Sequence, residues 1–231
     1  MKVLLSIFGL IYNDYGSKGQ KDIRHCWANI HNKLVKPLKD LGHDVKINII
    51  TQSTDSSDVE LEIIQSIMPT TFIKVYDNFH GGYTTKLKAV EVLQGSDQDF
   101  NIITRSDIHF TDKHIVEMLD FKKFNFLFPE RGWWEHTKFT TDNFYAWNDS
   151  YSKYVLAAMK ETKHDHYTST HNMYNRLLKY MSISDLHFIS NNEELSDINS
   201  FYTLCRKLHH ANHADISLMH KDVEDLHYKN C

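Results

Sequence analysis

The sequence predicts an α/β fold, with a mainly parallel central sheet and helices on both faces, built as a single domain over residues 1–231. Three observations carry this. Apolar, β-branched runs recur with little polar alternation, as strands covered on both faces require. Segments of helical period separate the first four of these runs, which is how successive strands become parallel. No repeat, low-complexity stretch or linker divides the chain.

The first run, KVLLSIFGL (residues 2–10), is a continuous strand pattern, followed by the polar loop NDYGSKGQ. In DIRHCWANIHNKLVKPLKDLG, residues Ile23, Trp27, Ile30, Leu34 and Leu38 recur at helical spacing and Gly42 stops the helix. Pro37 has no N–H to donate and is expected to kink or shorten it. DVKINII is the second strand. SSDVELEIIQSIM reads as a helix with a Ser or Asp cap and acids in its first turn. TTFIKVYD is the third strand, GGYTTKLKAVEVLQGS a helix closed by Gly95, and DFNIITRSD the fourth strand. The later chain is richer in aromatics, with one or two strands, a helix at SYSKYVLAAMKE, another at THNMYNRLLKYM and a short strand at LHFIS.

Composition narrows the function. Apolar residues make up 41% and charged residues 24%, ordinary for a globular protein and wrong for a disordered one. A net charge of -4 speaks against nucleic acid as the main partner, since phosphate binding leaves a basic footprint. Cys26, Cys205 and Cys231 are far apart and lack metal-type pairing, which suggests reduced thiols and a cytoplasmic setting. The lysine and apolar run at the start lack a small-residue cleavage site and read as a buried strand, and no run approaches a membrane span. No P-loop, dinucleotide fingerprint, nucleophilic triad or zinc-finger spacing is present.

The chemistry concentrates in NIITRSDIHF, residues 101–110. Ligands of open parallel sheets bind outside the carboxyl ends of strands, where Asp107 is expected. Two apart on an extended segment, Asp107 and His109 point the same way, and Arg105 lies on the same side by the same parity. A carboxylate and an imidazole suit Mn²⁺ or Zn²⁺ better than Mg²⁺, and Arg105 can neutralise phosphate or lock the carboxylate. The plainer reading has Asp107 capping a turn, Arg105 paired with it and His109 incidental; spacing alone leaves both open.

This stretch resembles the strand-end signature of small GT-A-fold glycosyltransferases of viral and bacterial type, in which an apolar strand runs into Arg-Ser-Asp, a variant of Asp-x-Asp. VLLSIFGLIY, CWANIHNKLVKPLKDLGHDVKINI, GGYTTKLKAVEVL and TTDNFYAWNDSYSKYVLAAM resemble other parts of such enzymes, over about the first three quarters of the chain. Two departures stand out: His109 replaces the second carboxylate, and a family-like Asp-Arg-Phe reads Asp142-Asn143-Phe144.

The resemblance implies a GT-A-like, Rossmann-like fold with a nucleotide-sugar-binding half (1–112) and an acceptor-side half (113–231). It implies transfer of a monosaccharide from a nucleotide-diphosphate sugar to a glycan hydroxyl, assisted by Mn²⁺ or Mg²⁺. Asp107 would be the main metal or ribose ligand, with His109 and His220 (or His213) as further metal ligands. Arg105 and Lys86 would contact phosphate or nucleotide, although Lys86 also reads as a solvated helix residue. Tyr12 and Asn13 would hold the base. Asp142 would be the general base, with Glu130 and Glu135 in reserve and a helix cap as its plainer role. Trp133 and Trp134 would stack on the acceptor sugar. A nucleotidyltransferase on a related sheet, needing a basic N-terminal phosphate loop, and a non-catalytic carbohydrate-binding protein, needing the tryptophans but not Asp107, remain alternatives.

Overall fold

The computed structural model describes residues 1–9, 12–14, 20–22, 24–52, 57–76, 82–111, 114–127, 129–130, 139–140, 143–161, 172–189 and 202–204. In chain order the strands are β1 (Lys2–Phe8), β2 (Tyr12–Asp14), β3 (Gln20–Asp22), β4 (Asp44–Gln52), β5 (Phe72–Tyr76), β6 (Phe100–Arg105), β7 (Ile108–Phe110), β8 (Phe124–Phe126), β9 (Pro129–Glu130), β10 (Phe139–Thr140), β11 (Phe144–Asn148), β12 (Leu186–Phe188) and β13 (Tyr202–Leu204). The α-helices are α1 (Arg24–Ile30), α2 (Lys36–Asp40), α3 (Ser57–Ile67), α4 (Gly82–Leu93), α5 (Ser152–Glu161) and α6 (Met173–Leu177).

Among the described residues one seven-stranded sheet runs β12-β8-β11-β6-β1-β4-β5. The four strands read as a parallel set are parallel: β4 and β6 both flank β1, and β5 lies outside β4. β11 enters between β6 and β8, antiparallel to both, and β12 closes the far edge parallel to β8. The sheet is therefore mainly parallel and takes strands from both sequence halves.

Alternation along the central strands divides the core. Val3, Leu5, Ile7, Ile102, Phe144 and Ala146 face one layer, with Trp27, Ile30, Leu38, Ile64 and Met68 from the helices connecting β1 to β4 and β4 to β5. Leu4, Phe8, Ile103, Tyr145 and Trp147 face the other, with Val90, Leu93, Val155, Met159 and Leu177 from α4, α5 and α6. Helices thus cover both faces, as the unbroken apolar runs require.

Three elements differ from expectation. The first helix does not run evenly to Gly42: α1 and α2 are joined by a π-helical turn at His31–Val35. Pro37, in the first turn of α2, cannot donate to the turn before it, and widening that turn relieves the ring's clash. The polar segment after β1 carries an antiparallel ladder, β2 with β3. Among the described residues 172–181 the expected helix is one short α-helix, α6, followed by turns.

Candidate functional site at the strand-order reversal

The chain builds the sheet outward from β1 through β4 to β5, then crosses back to lay β6 on the other side of β1. The strand order reverses between β1 and β6, the position at which open α/β sheets bind ligands outside their carboxyl ends. The segment Arg105–Asp107 lies at this point.

The extended course expected through residue 109 is not what forms. β6 ends at Arg105, Ser106 and Asp107 turn, and the chain resumes as β7, which pairs with β13 outside the main sheet. Shared parity for Arg105, Asp107 and His109 therefore fails. The ladders on both sides of β6 run up to this turn: the Ser106 N–H donates to the Phe8 carbonyl at 2.8 Å, and the Arg105 N–H donates to the Asn143 carbonyl at 3.0 Å. Gly9 makes the approach possible: its φ is +116°, and a Cβ there would lie 2.9 Å from Ser106 Oγ.

Within the turn, Arg105 grips Asp107 at both oxygens, Nε on Oδ1 and Nη2 on Oδ2, each at 2.7 Å. The carboxylate side chain is 5% exposed and the guanidinium 20%. A fork-to-fork pair of this kind fixes orientation as well as charge. It matches the plainer reading, in which Arg105 pairs with Asp107, and equally the reading in which Arg105 locks a functional carboxylate.

Lys86 departs most from expectation. On α4 it is 1% exposed, not a solvated helix residue. Its Nζ lies 4.2 Å from the centre of the Tyr145 ring and 5.8 Å from that of Phe8. Phe8 is level with Arg105 on β1, and Tyr145 is level with Ile103 on β11. The ammonium thus straddles β6 beside the reversal, held over ring faces whose quadrupoles attract cations. The signal was in the sequence: Lys86 stands three, four and seven residues before Ala89, Val90 and Leu93, on the apolar stripe of its helix.

The described donors do not by themselves form a divalent-cation centre. Both Asp107 oxygens are engaged by a cation, His109 sits on a separate short strand, and no group of three His, Cys, Asp or Glu side chains comes together among the described residues. Tyr12 and Asn13 lie on β2, paired with β3, and Glu130 on β9; their backbones alone are described. Trp133, Trp134, Glu135, Asp142, His213 and His220 lie outside the described residues. One residue that sequence reasoning missed is Asn29, whose buried side chain bonds the backbone of β7. Among the described residues no helix is long and apolar enough to cross a membrane.

No protein-family model matches the chain, and no curated protein matches it by sequence. Among solved structures it is similar to one assigned as a glucose-1-phosphate thymidylyltransferase from Bacillus anthracis, in complex with sucrose (TM-score 0.49, 10% identity, 95% of this chain and 94% of that chain covered). It is also similar to a glycosyltransferase involved in glycosylation of the major capsid of PBCV-1 (TM-score 0.43, 7% identity, 81% of each chain covered). At these values neither likeness informs the reaction or its ligands.

Proposed function

We propose that this chain is a GT-A-type glycosyltransferase, moving a monosaccharide from a nucleotide-diphosphate sugar to a glycan hydroxyl at the reversal between β1 and β6. The observation that carries the reading is the Arg105–Asp107 pair set at that edge beside the buried ammonium of Lys86. A carboxylate held at both oxygens by a guanidinium has its charge already matched, which suits Asp107 to a ribose or sugar hydroxyl better than to a divalent cation. The expected Mn²⁺ or Mg²⁺ therefore enters no step here.

In the transfer the acceptor oxygen attacks the anomeric carbon while the bond from that carbon to the diphosphate oxygen breaks. The diphosphate leaves with the electron pair, and the acceptor proton passes to a base. Arg105 and Lys86 are the fixed positive charges that would stabilise the leaving group. Asp142 is the proposed base; it immediately precedes Asn143, whose carbonyl accepts the Arg105 N–H. Tyr12 and Asn13 are proposed for the nucleobase, and Trp133 and Trp134 for the acceptor.

Thermal shift with a panel of nucleotide sugars, with and without Mn²⁺, tests the reading on wild type and Asp107→Ala. Ligand at ~100 times its Kd should stabilise wild type by roughly 2.7 kcal/mol. If no nucleotide stabilises the wild type with or without metal, the transferase reading is wrong. If nucleoside triphosphates with sugar phosphates stabilise it and nucleotide sugars do not, the reaction is nucleotidyl transfer. A shift preserved in Asp107→Ala removes Asp107 from the site.

A further inference from the structure

We propose that Asn29 is a positioning residue that fixes the Asp107 turn against the first helix, so that ligand affinity at the reversal depends on it; this rests on the reading of that edge as the nucleotide-sugar site. The geometry is a two-point clamp. Asn29 Nδ2 donates to the Phe110 carbonyl at 2.9 Å, and Asn29 Oδ1 accepts the Phe110 N–H at 2.6 Å. One side-chain amide thus serves Phe110 as a neighbouring strand's backbone would, at a site where Asn29 is fully buried and Phe110 1% exposed.

The clamp matters because the chain leaves the main sheet at Arg105. Upstream of Asp107 the turn is tied to β1 by the Ser106 N–H and to the start of β11 by the Arg105 N–H. Downstream, β7 belongs to no part of the seven-stranded sheet and pairs with β13. A strand residue's N–H and C=O project to one side, so the edge of β7 bearing those of Phe110 faces α1. Asn29 meets that edge, three residues beyond Asp107. The helix itself is anchored in the core by Cys26, Trp27 and Ile30. A position needed for packing alone takes an apolar side chain, as its neighbours Trp27, Ala28 and Ile30 do. An amide matched at both ends holds a backbone segment in register with the helix, and Asp107 is carried with it.

The test uses the full chain with UDP, GDP, CDP and ADP as probes, in wild type, Asn29→Ala and Asn29→Asp, read by calorimetry beside a thermal melt. At neutral pH Asn29→Asp keeps the acceptor for the Phe110 N–H but sets a carboxylate against the Phe110 carbonyl. Once protonated, the acid regains a donor and restores both bonds. The expected result is that the folded variants bind the best diphosphate more weakly, by roughly 10-fold or more, as loss of one hydrogen bond to a charged group can cause. As pH is lowered, Asn29→Asp should recover affinity relative to wild type while Asn29→Ala does not. If the folded variants bind as wild type does and lose only melting temperature, Asn29 is structural and the inference falls with the site reading intact. If wild type itself binds none of the diphosphates, the site reading falls.

Discussion

Arg105 and Asp107 close on each other through two hydrogen bonds of equal length, at the point where the strand order reverses. The two partners are not equally replaceable. Removing the guanidinium takes the forked partner from a carboxylate that is 5% exposed, whereas removing the carboxylate leaves an arginine side chain, at 20%, that water can partly reach. Breaking a buried pair by removing one member costs about 3 kcal/mol or more. Arg105→Ala should therefore lower the urea midpoint more than Asp107→Ala. The reverse order would mean that the pair's burial does not govern its stability.

Lys86 is tested on binding. Its Nζ is held over the Tyr145 and Phe8 rings, and Lys86→Met keeps most of the side chain's volume while removing the charge. Lys86→Met is expected to abolish nucleotide-induced stabilisation in a chain that still gives a cooperative melt. Lys86→Met with an unchanged nucleotide shift would remove Lys86 from the binding role.

Gly9→Ala places a methyl 2.9 Å from Ser106 Oγ on a backbone of φ +116°. Strain of this kind costs about 2 kcal/mol, before the clash is counted. Ser106→Ala in the same chain removes the hydroxyl but not the strain, so the double variant should regain part of the loss. Full recovery would show that the positive φ carries no cost; no recovery would mean that the clash contributes nothing.

Burial holds the His31 imidazole below its ordinary value of 6.5, partly offset by the Asn32 side chain, with Lys39 and Lys36 lowering it further. The unfolded chain then takes up a proton that the folded chain resists. Stability from this source is complete above pH 6.5 and is lost as pH falls below it. Urea midpoints compared at about pH 7.5 and about pH 5 should drop more for wild type than for His31→Gln. Equal drops would exonerate His31.

The parallel half of the sheet was legible because its runs around Leu5, Ile49, Ile73 and Ile102 are β-branched and separated by helical periods; local pattern and burial agree there. Where the reading failed, distant residues decided. Nothing near Ser106 announces that β7 will leave the main sheet to pair with β13, so a segment that reads as extended is broken by a turn. Lys86 was visible as a stripe position, but its charge outweighed its phase, since lysines are rarely buried. Asn29 gave no signal, because its partner lies 81 residues away.

The way β11 is threaded also meters the site. Phe144 stands opposite Thr104, Tyr145 opposite Ile103, and the Asn143 carbonyl meets Arg105. Side chains alternate along a strand, so sliding β11 by one residue exchanges its two faces. Tyr145 would leave the layer of Lys86, Phe144 would enter it, and a different carbonyl would meet Arg105. One strand thus works as a gauge for two charges at once, and a single inserted or deleted residue in β11 would unseat the ammonium and the guanidinium together.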